Sequence, residues 1–225
     1  MNHTQAMHRR GMTLRLATFC VAAATVFSAQ AKEQTFEEAF STRREPAALH
    51  YEVQVFSRGA PHHLEIWRDA NRRLRRKTDG DTDLYAFKEQ GDSDFRLSIL
   101  DHKRHIHSLV DRTNLARLGT FTDWYDLGHG LRHPIGDYHL TPGTAPDTAP
   151  QAVADCQWYD LTANQRTSHI CWSAQLKIPL MIMSSDKVVM WRVTAVDRKP
   201  IPAATFAIND AGYVRNDANE DIEND

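Results

Sequence analysis

Apolar and polar residues alternate along much of this chain with a period of two, which is typical of β-strands that bury one face. In the clearest example, single polar residues separate the apolar Leu49, Tyr51, Val53 and Val55. Turn-forming segments separate this strand from five further short strands that end at residue 110. Six strands with short connections indicate an antiparallel meander rather than a fold with βαβ crossovers.

The second half of the chain predicts two more hairpins. The first joins residues 156–161 to residues 167–173, and the second joins residues 179–183 to residues 187–196. If the first hairpin is symmetric about Ala163-Asn164, Cys156 faces Cys171 and Trp158 faces His169. Four apolar residues then share its other face: Tyr159, Leu161, Ile170 and Trp172. We also expect a last short strand at residues 204–208 and a surface connection at residues 141–151, which are rich in Pro and Thr.

Two segments predict helix instead. Thr35 and Glu38 have the spacing of a capping box, and Phe36 and Phe40 form an apolar pair one helical turn apart. In residues 111–131 the apolar residues recur at three- and four-residue intervals, which predicts one or two short helices. The fold class that follows is mainly β with a few helices (α+β). It is a single strongly curved antiparallel sheet, or an unclosed barrel, covered by helices.

The N-terminal 31 residues have the order of a secretory signal peptide. A basic stretch with Arg9, Arg10 and Arg15 precedes an apolar run of 13 residues, and Ala29 and Ala31 supply the small residues before a cleavage site. The run is shorter than the roughly 20 residues that a membrane-spanning helix needs. We therefore expect cleavage after Ala31, export to the periplasm and no transmembrane anchor after cleavage.

Charge and length narrow the possible functions. The predicted signal peptide holds three basic residues and no acidic ones, which leaves 24 basic and 29 acidic residues after it. A net charge of −5 argues against a nucleic-acid partner, since nucleic-acid-binding proteins usually carry a basic surface. Residues 32–215 have the length of one domain, and residues 216–225 predict a disordered acidic tail.

Two cysteines, Cys156 and Cys171, follow the predicted signal peptide. In an oxidising compartment an isolated pair at this spacing is best interpreted as one disulfide. Hairpin parity and the disulfide support each other, because a cross-strand bridge needs both cysteines on one face. The alternative interpretation, a redox-active or metal-binding pair, lacks the Cys-x-x-Cys spacing.

The order of elements resembles the LolA/LolB-like superfamily: an exported chain, a short N-terminal helix, a long meander and a final pair of strands. At motif level the resemblance covers residues 171–202, CWSAQLKIPLMIMSSDKVVMWRVTAVDRKPIP, which are similar to the C-terminal part of uncharacterised periplasmic members. The resemblance implies an unclosed β-barrel with helices at its mouth. It also implies a lipid, an acyl chain or a lipoprotein segment held in an apolar cavity, and a possible envelope protein as partner.

The apolar residues between 115 and 131 are the candidate ligand-binding set. Aromatic rings there would add a large contact area at the mouth of a cavity. The alternative is that they pack onto the sheet as ordinary core. The candidates are Leu115, Leu118, Phe121, Trp124 and Tyr125.

Histidines provide an alternative, metal- or haem-binding hypothesis. His102, His105 and His107 fall within six residues, and His105 and His107 share one face if they lie on a strand. His129 and His133 are four residues apart, but Gly128, Gly130 and Pro134 disfavour the helix that a shared metal would need. Solvent-facing histidines on a polar strand explain the cluster equally well. No cofactor is predicted.

A run of basic residues suggests a surface for anionic headgroups or an acidic partner. It consists of Arg68, Arg72, Arg73, Arg75, Arg76 and Lys77. Flanking aspartates allow the other interpretation, a charged strand face protected against edge pairing.

The sequence contains none of the familiar catalytic motifs: no Gly-x-Ser-x-Gly, no His-Glu-x-x-His, no phosphate-binding glycine loop and no dinucleotide fingerprint. We therefore predict a protein that is not an enzyme. The leading hypothesis is a binding or carrier protein. The alternatives are a metal- or haem-binding envelope protein and a regulatory protein-interaction domain.

Overall fold

The computed structural model describes Met1 and residues 34–57, 59–69, 72–88, 95–111 and 123–217. The predicted signal peptide lies outside the described residues, as do Leu115, Leu118, Phe121 and residues 218–225 of the predicted tail. Every element below belongs to one compact unit, Ala31–Asp225. No helix in the described part of the chain is long and apolar enough to cross a membrane.

One unclosed sheet of twelve strands dominates the described residues, so the prediction of a mainly β fold is confirmed. The strands are β1 Ala48–Ser57, β2 Ala60–Asp69, β3 Arg73–Thr78, β4 Thr82–Lys88, β5 Phe95–Asp101, β6 Ile106–Asp111, β7 Tyr138–Pro142, β8 Gln157–Ala163, β9 Arg166–Ser173, β10 Ile178–Met183, β11 Val189–Asp197 and β12 Val214–Asp217. Their order is β12-β6-β5-β4-β3-β2-β1-β11-β10-β9-β8-β7. Two meanders therefore meet where β1 pairs with β11.

All neighbouring strands pair antiparallel except β12, which runs parallel to β6. The disordered tail was predicted to begin at residue 216, but Asn216 and Asp217 belong to β12. The predicted strand at residues 204–208 is also wrong, because a 3-10 helix, Ala203–Phe206, occupies this segment. Pro202 directly precedes this helix. Because proline has no backbone N–H to donate to a neighbouring strand, it disfavours a strand at this position.

The inner face of the sheet carries the core. We call inner the face that bears Leu49, Tyr51 and Val53, all fully buried, and outer the face that bears His50 and Glu52. One inner row crosses six strands in register: Leu49, Arg68, Leu74, Ala86, Leu97 and Val110. Five of these six side chains are apolar, and the exception, Arg68, is only 1% exposed.

Two short helices lie in the described residues, and they are too short to support the predicted helical cover. Helix α1 is Phe36–Ala39, with the predicted capping box between Thr35 and Glu38 in place. Helix α2 is Trp124–His129, and it ends at Gly130 with φ of 68°. A Cβ on Gly130 would overlap the indole ring of Trp191, so this position needs glycine both for its backbone and for its close packing.

Part of the outer face is covered by a segment whose regular structure, among the described residues, is one short 3-10 helix. Residues 198–213, which we call the C-terminal strap, lead from β11 to β12 on the far side of the β1–β6 meander. The guanidinium of Arg73 lies 4.7 Å from the ring centre of Phe206, and Arg75 Nη1 donates to the carbonyl of Thr205 at 3.2 Å. Strap contacts of this kind use the polar side chains of the outer face.

The β8–β9 hairpin differs from its predicted register by two residues. Asn164 and Gln165 both have positive φ, 49° and 61°, which places the two-residue turn there rather than at Ala163-Asn164. Trp158 therefore faces Cys171 across the ladder. The predicted cross-strand pairings of Cys156 with Cys171 and of Trp158 with His169 are both wrong. A shift of two preserves which face each residue takes, so the four predicted apolar residues do share a face and pack in one cluster.

The predicted disulfide is confirmed. Cys156 and Cys171 are bonded, with 5.3 Å between their Cα atoms, although Cys156 lies just before β8. Ala149, Ala152 and Ala154, which precede Cys156, pack on the same core cluster as Cys171. The bridge thus fastens this connecting segment to the sheet.

Replacing both cysteines with serine should lower the free energy of unfolding by roughly 3 kcal/mol, because the bridge closes a loop of 15 residues in the unfolded chain. Chemical denaturation of the oxidised protein and of the double variant measures the difference. In the native oxidised protein of residues 32–225, neither Cys156 nor Cys171 should react with a maleimide, and both should react after reduction and unfolding. Labelling of Cys156 or Cys171 without reductant would contradict the bridge.

Candidate functional site

A cleft lies between helix α1 and the region of helix α2, and we call it the helix cleft. Its volume is about 240 Å³, slightly below the 300–1,000 Å³ usual for small-molecule sites. It is lined by Phe36, Glu37, Phe40, Ser41, Thr42, Tyr125 and His133. Three of these residues have aromatic rings that form an apolar wall. Glu37 adds a carboxylate and His133 adds an imidazole, so the lining is partly apolar and partly polar.

Aromatic rings form the apolar wall of the helix cleft. Phe36 contacts Phe40 edge-on with ring centres 4.8 Å apart, and Tyr125 approaches Phe36 at 5.8 Å. The hydroxyl of Tyr125 donates to the carbonyl of Phe40 at 3.1 Å, which fixes α2 against the end of α1. Behind them, the ring of Phe40 lies 5.2 Å from Trp172, a fully buried residue of β9. The wall is therefore rigidly backed by the sheet.

Carboxylates and an imidazole form a second group beside the cleft. Asp123 is the N-cap of α2, and its Oδ1 accepts the backbone N–H of Asp126 at 2.8 Å. One donor atom from each of Asp123, Asp126 and His133 lies within 4.8 Å of the other two. We call these three residues the acid–histidine cluster.

Asp126 is the most perturbed acid of this cluster. Its side chain is 2% exposed, and its Oδ1 has no hydrogen-bond partner among the described residues. Burial, followed by the negative charge of Asp123, raises its pKa from 3.8 to about 6, although Arg132 and His133 oppose the rise. Arg132 Nε remains 3.6 Å from Asp126 Oδ2, beyond ordinary hydrogen-bond length. A buried carboxyl of this kind is a common mark of a functional site.

His133 connects the two groups. Its ring packs 4.3 Å from Phe36 and 4.9 Å from Tyr125, measured between ring centres. Nδ1 lies 3.9 Å from Asp123 Oδ2, while Nε2 faces Glu37 Oε1 at 3.7 Å. The His133 ring therefore directs Nδ1 towards Asp123 of the acid–histidine cluster and Nε2 towards Glu37 of the helix cleft. This set of groups is able to bind a cation or exchange a proton.

A buried ionic cluster anchors α2 at its other end. Arg68 Nη1 donates to the carbonyl of Gly128 at 3.0 Å, and its Nη2 lies 3.5 Å from Glu45 Oε2. The same carboxylate oxygen is 3.0 Å from Nε2 of His129, whose Nδ1 lies 2.9 Å from the carbonyl of Tyr125. The hydroxyl of Tyr51 adds a second donor to the Gly128 carbonyl at 3.2 Å.

The charges of this cluster depend on each other. Burial raises the pKa of Glu45, but the hydrogen bond from His129 and the charge of Arg68 outweigh it, so the net pKa lies below the ordinary value. Burial lowers the pKa of His129, and its hydrogen bond to Glu45 only partly restores it. Because both partners of the His129 ring are acceptors, both contacts are hydrogen bonds only when the ring carries two protons.

The predicted ligand-binding residues divide into three groups. Leu115, Leu118 and Phe121 lie outside the described residues. Trp124 is 9% exposed and packs edge-on against Phe95 in the core beside Leu127, which favours the core interpretation for this residue. Tyr125 lines the helix cleft.

The structure does not bring the three predicted histidines together around a common point. His102 Nδ1 lies 2.6 Å from the hydroxyl of Tyr213 in the strap. His107 is buried on the outer face, and its Nδ1 is 2.8 Å from Asp210 Oδ2. His105 lies in the turn before β6 with φ of 54°, so it does not share a strand face with His107. These histidines hold the C-terminal strap.

The basic run is not one surface patch. Arg68 is buried on the inner face, Arg72 is exposed, and Arg73 is paired with Asp69. Arg75 is paired with Asp83 and also lies 5.0 Å from the ring centre of Trp67. Arg76 faces inward beside Leu74 in β3, and burial lowers its pKa to about 10. Alternate residues of the run face opposite sides of the sheet, as a strand requires.

The sequence pattern did not reveal the ionic cluster of Glu45, Arg68 and His129, nor the place of Asp126 in the acid–histidine cluster. The sequence did indicate that Arg68 is buried, because it follows the buried Leu64 and Ile66 at every second position and therefore lies on the same face of β2. For Asp126 the signal was the spacing from Asp123, which fits an N-cap and its third following residue.

A second set of donors lies on the outer face. His50, Glu52 and Glu65 also have donor atoms within 4.8 Å of one another. The ring of His50 is stacked on Trp67 with 4.8 Å between ring centres, and its Nε2 is 3.7 Å from Glu65 Oε1. All three residues are partly exposed, so this set lacks a buried carboxylate like Asp126 of the acid–histidine cluster.

No protein-family model matches the chain, and no curated protein matches it either.

Replacing Arg68 with methionine should lower the free energy of unfolding by about 3–5 kcal/mol, because it leaves the buried Glu45 without its guanidinium partner. Urea denaturation measures this loss. Arg72→Met, at an exposed position four residues along, is the matched control and should change stability by less than about 0.5 kcal/mol. Equal effects of the two substitutions would contradict the central role of Arg68.

The raised pKa of Asp126 predicts a specific pH dependence in the presence of a chelator. Folding favours the protonated carboxyl, so its contribution to stability is complete below about pH 4 and is lost as the pH rises through about 6. Relative to Asp126→Asn, the wild-type protein should lose up to about 3 kcal/mol between pH 4 and pH 8, measured by urea denaturation.

Asp79→Asn provides a control of opposite sign for this measurement. Hydrogen bonds from His62 and from the backbone of His63 lower the pKa of Asp79, so its contribution is present at neutral pH and lost on acidification. A difference between wild type and Asp126→Asn that does not change with pH would contradict the raised pKa.

Proposed function

We propose that this protein is an exported, non-enzymatic binding or carrier protein of the periplasm that holds an acyl chain or a lipoprotein segment in the helix cleft. The observation that carries the proposal is the aromatic wall of that cleft, formed by Phe36, Phe40 and Tyr125. The predicted signal peptide and the resemblance of residues 171–202 to LolA/LolB-like proteins support the same function.

We propose that the acyl chain or lipoprotein segment binds between the helices rather than over the middle of the sheet. Core clusters already fill the inner face there with the protein's own side chains, including Ile66, Leu180 and Met181. The helix cleft, in contrast, retains open volume next to apolar rings. The predicted ligand-binding residues Leu115, Leu118 and Phe121 lie outside the described residues, so the proposal rests on Phe36, Phe40 and Tyr125.

Apolar burial is sufficient for useful affinity without a catalytic group. At roughly 25 cal/mol per Å², removing about 200 Å² of acyl chain from water contributes on the order of 5 kcal/mol before the cost of ordering the chain. Polar groups at the rim, Glu37 and His133, then orient the end of the ligand. The chemistry that this cleft fits best is therefore a single narrow apolar chain with a polar end.

Filling the cleft should weaken binding. We expect the purified protein to bind a fluorescent derivative of palmitate, and Thr42→Trp to weaken that binding by at least about tenfold, which corresponds to 1.4 kcal/mol. Ser185→Trp, which adds the same ring on the exposed turn between β10 and β11, is the control and should bind like wild type.

Circular dichroism of both variants verifies that they fold. The proposal is wrong if wild type does not bind the probe, or if Thr42→Trp and Ser185→Trp bind it equally well. Native mass spectrometry of protein isolated from the periplasm identifies any natural occupant. The mass of the same sample shows whether the chain begins at Lys32.

A further inference from the structure

The geometry points to a divalent transition-metal site of the zinc type, formed by Asp123, Asp126 and His133. Their donor atoms come from the first turn of α2 and from the loop that follows it, and each lies within 4.8 Å of the other two. Around a tetrahedral zinc ion, ligand atoms at 2.0–2.2 Å from the metal lie roughly 3.4 Å apart. The cluster therefore needs to contract by at most about 1.4 Å to close on the ion.

A buried oxygen without a partner is the second observation. Asp126 is 2% exposed, and its Oδ1 accepts no hydrogen bond from any described residue. Leaving such an acceptor unsatisfied costs about 1–3 kcal/mol, and more for a charged group. A bound cation supplies the missing partner to this oxygen and offsets the repulsion between the two aspartates.

The remaining atoms of the cluster are available for coordination in a consistent way. Asp123 uses Oδ1 to cap α2, which leaves Oδ2 facing Nδ1 of His133 at 3.9 Å. On the opposite side of that ring, Nε2 faces Glu37. Metal-bound histidines usually direct their second nitrogen to a carboxylate in this manner, which fixes the tautomer and the ring orientation.

The donor set selects the class of metal. One imidazole with two carboxylates suits zinc and similar transition ions, whereas Ca²⁺ and Mg²⁺ prefer sites made only of oxygen. Three protein ligands also leave at least one coordination position open to water or to a ligand. The cluster adjoins the helix cleft, because His133 belongs to both.

Isothermal titration calorimetry of the untagged, chelator-treated protein with ZnCl₂ tests the inference. We expect one zinc per chain, weak or undetectable binding of CaCl₂ and MgCl₂, and a zinc-dependent rise in thermal stability. Asp126→Asn keeps the shape of the side chain and should weaken zinc binding at least tenfold. His133→Phe keeps the ring that packs on Phe36 and should have the same effect.

His50→Phe is the matched control, because it retains a ring stacked on Trp67 while removing the imidazole from the donor set on the outer face. It should leave zinc affinity unchanged. The inference is overturned if wild type binds no zinc, if His50→Phe abolishes binding, or if Asp126→Asn and His133→Phe both retain it. If one of those two variants does not fold, the other decides the outcome. Zinc is titrated without lipid, so the result is independent of acyl-chain binding.

Discussion

The buried guanidinium of Arg68 is the constraint on which the packing of this protein depends. A charge removed from water must be met by acceptors, and those of Arg68 come from three distant parts of the chain. They are the Gly128 carbonyl at the end of α2, the Glu45 carboxylate before β1, and the Leu176 carbonyl between β9 and β10, which is 3.4 Å from Nη2. Each of these segments can pack only where it delivers its oxygen to β2, so one side chain positions the helix and joins the two meanders.

On the outer face, polar side chains contact the C-terminal strap instead of packing into an apolar core. His102, His107, Arg73 and Arg75 each contact the C-terminal strap. Many weak, partly exposed contacts of this kind stabilise less than buried ones, but they specify where the strap lies. For these four residues, contact with the strap is a structural role that requires neither a metal site nor a headgroup patch.

Sequence periodicity predicted the sheet well because it reports which face of a strand is buried. It predicted the β10–β11 hairpin and the disulfide, and it survived a register error of two in the β8–β9 hairpin, since parity was unchanged. It did not predict β7, whose last two residues fall in the predicted surface connection at residues 141–151. It did not predict β12 either, a short polar strand that the strap brings beside β6.

The candidate site was less predictable for a related reason. Glu45, Arg68 and His129 are 23 to 84 residues apart, and their meeting is decided by tertiary packing. Charge on a strand was interpreted as exposure, which is the usual case for arginine. Parity with Leu64 and Ile66 was the only local indication that Arg68 points inward. Tyr125 was identified as a candidate by its aromatic ring, whereas the acids beside it were not, because an N-cap accounts for such residues equally well.

The two ends of helix α2 differ in a way that bears on function. At the C-terminal end, the Gly128 carbonyl receives both Arg68 and Tyr51. At the N-terminal end, Asp126 keeps a buried oxygen that no described residue satisfies. Other buried polar atoms of the described residues, Arg68 Nε among them, also have no hydrogen-bond partner. The Asp126 oxygen differs because its residue belongs to a cluster of donor groups beside the helix cleft, where a ligand explains it better than packing. The firm anchoring of one end of the helix holds the unsatisfied acid in place at the other, which is the preorganisation that a binding site requires.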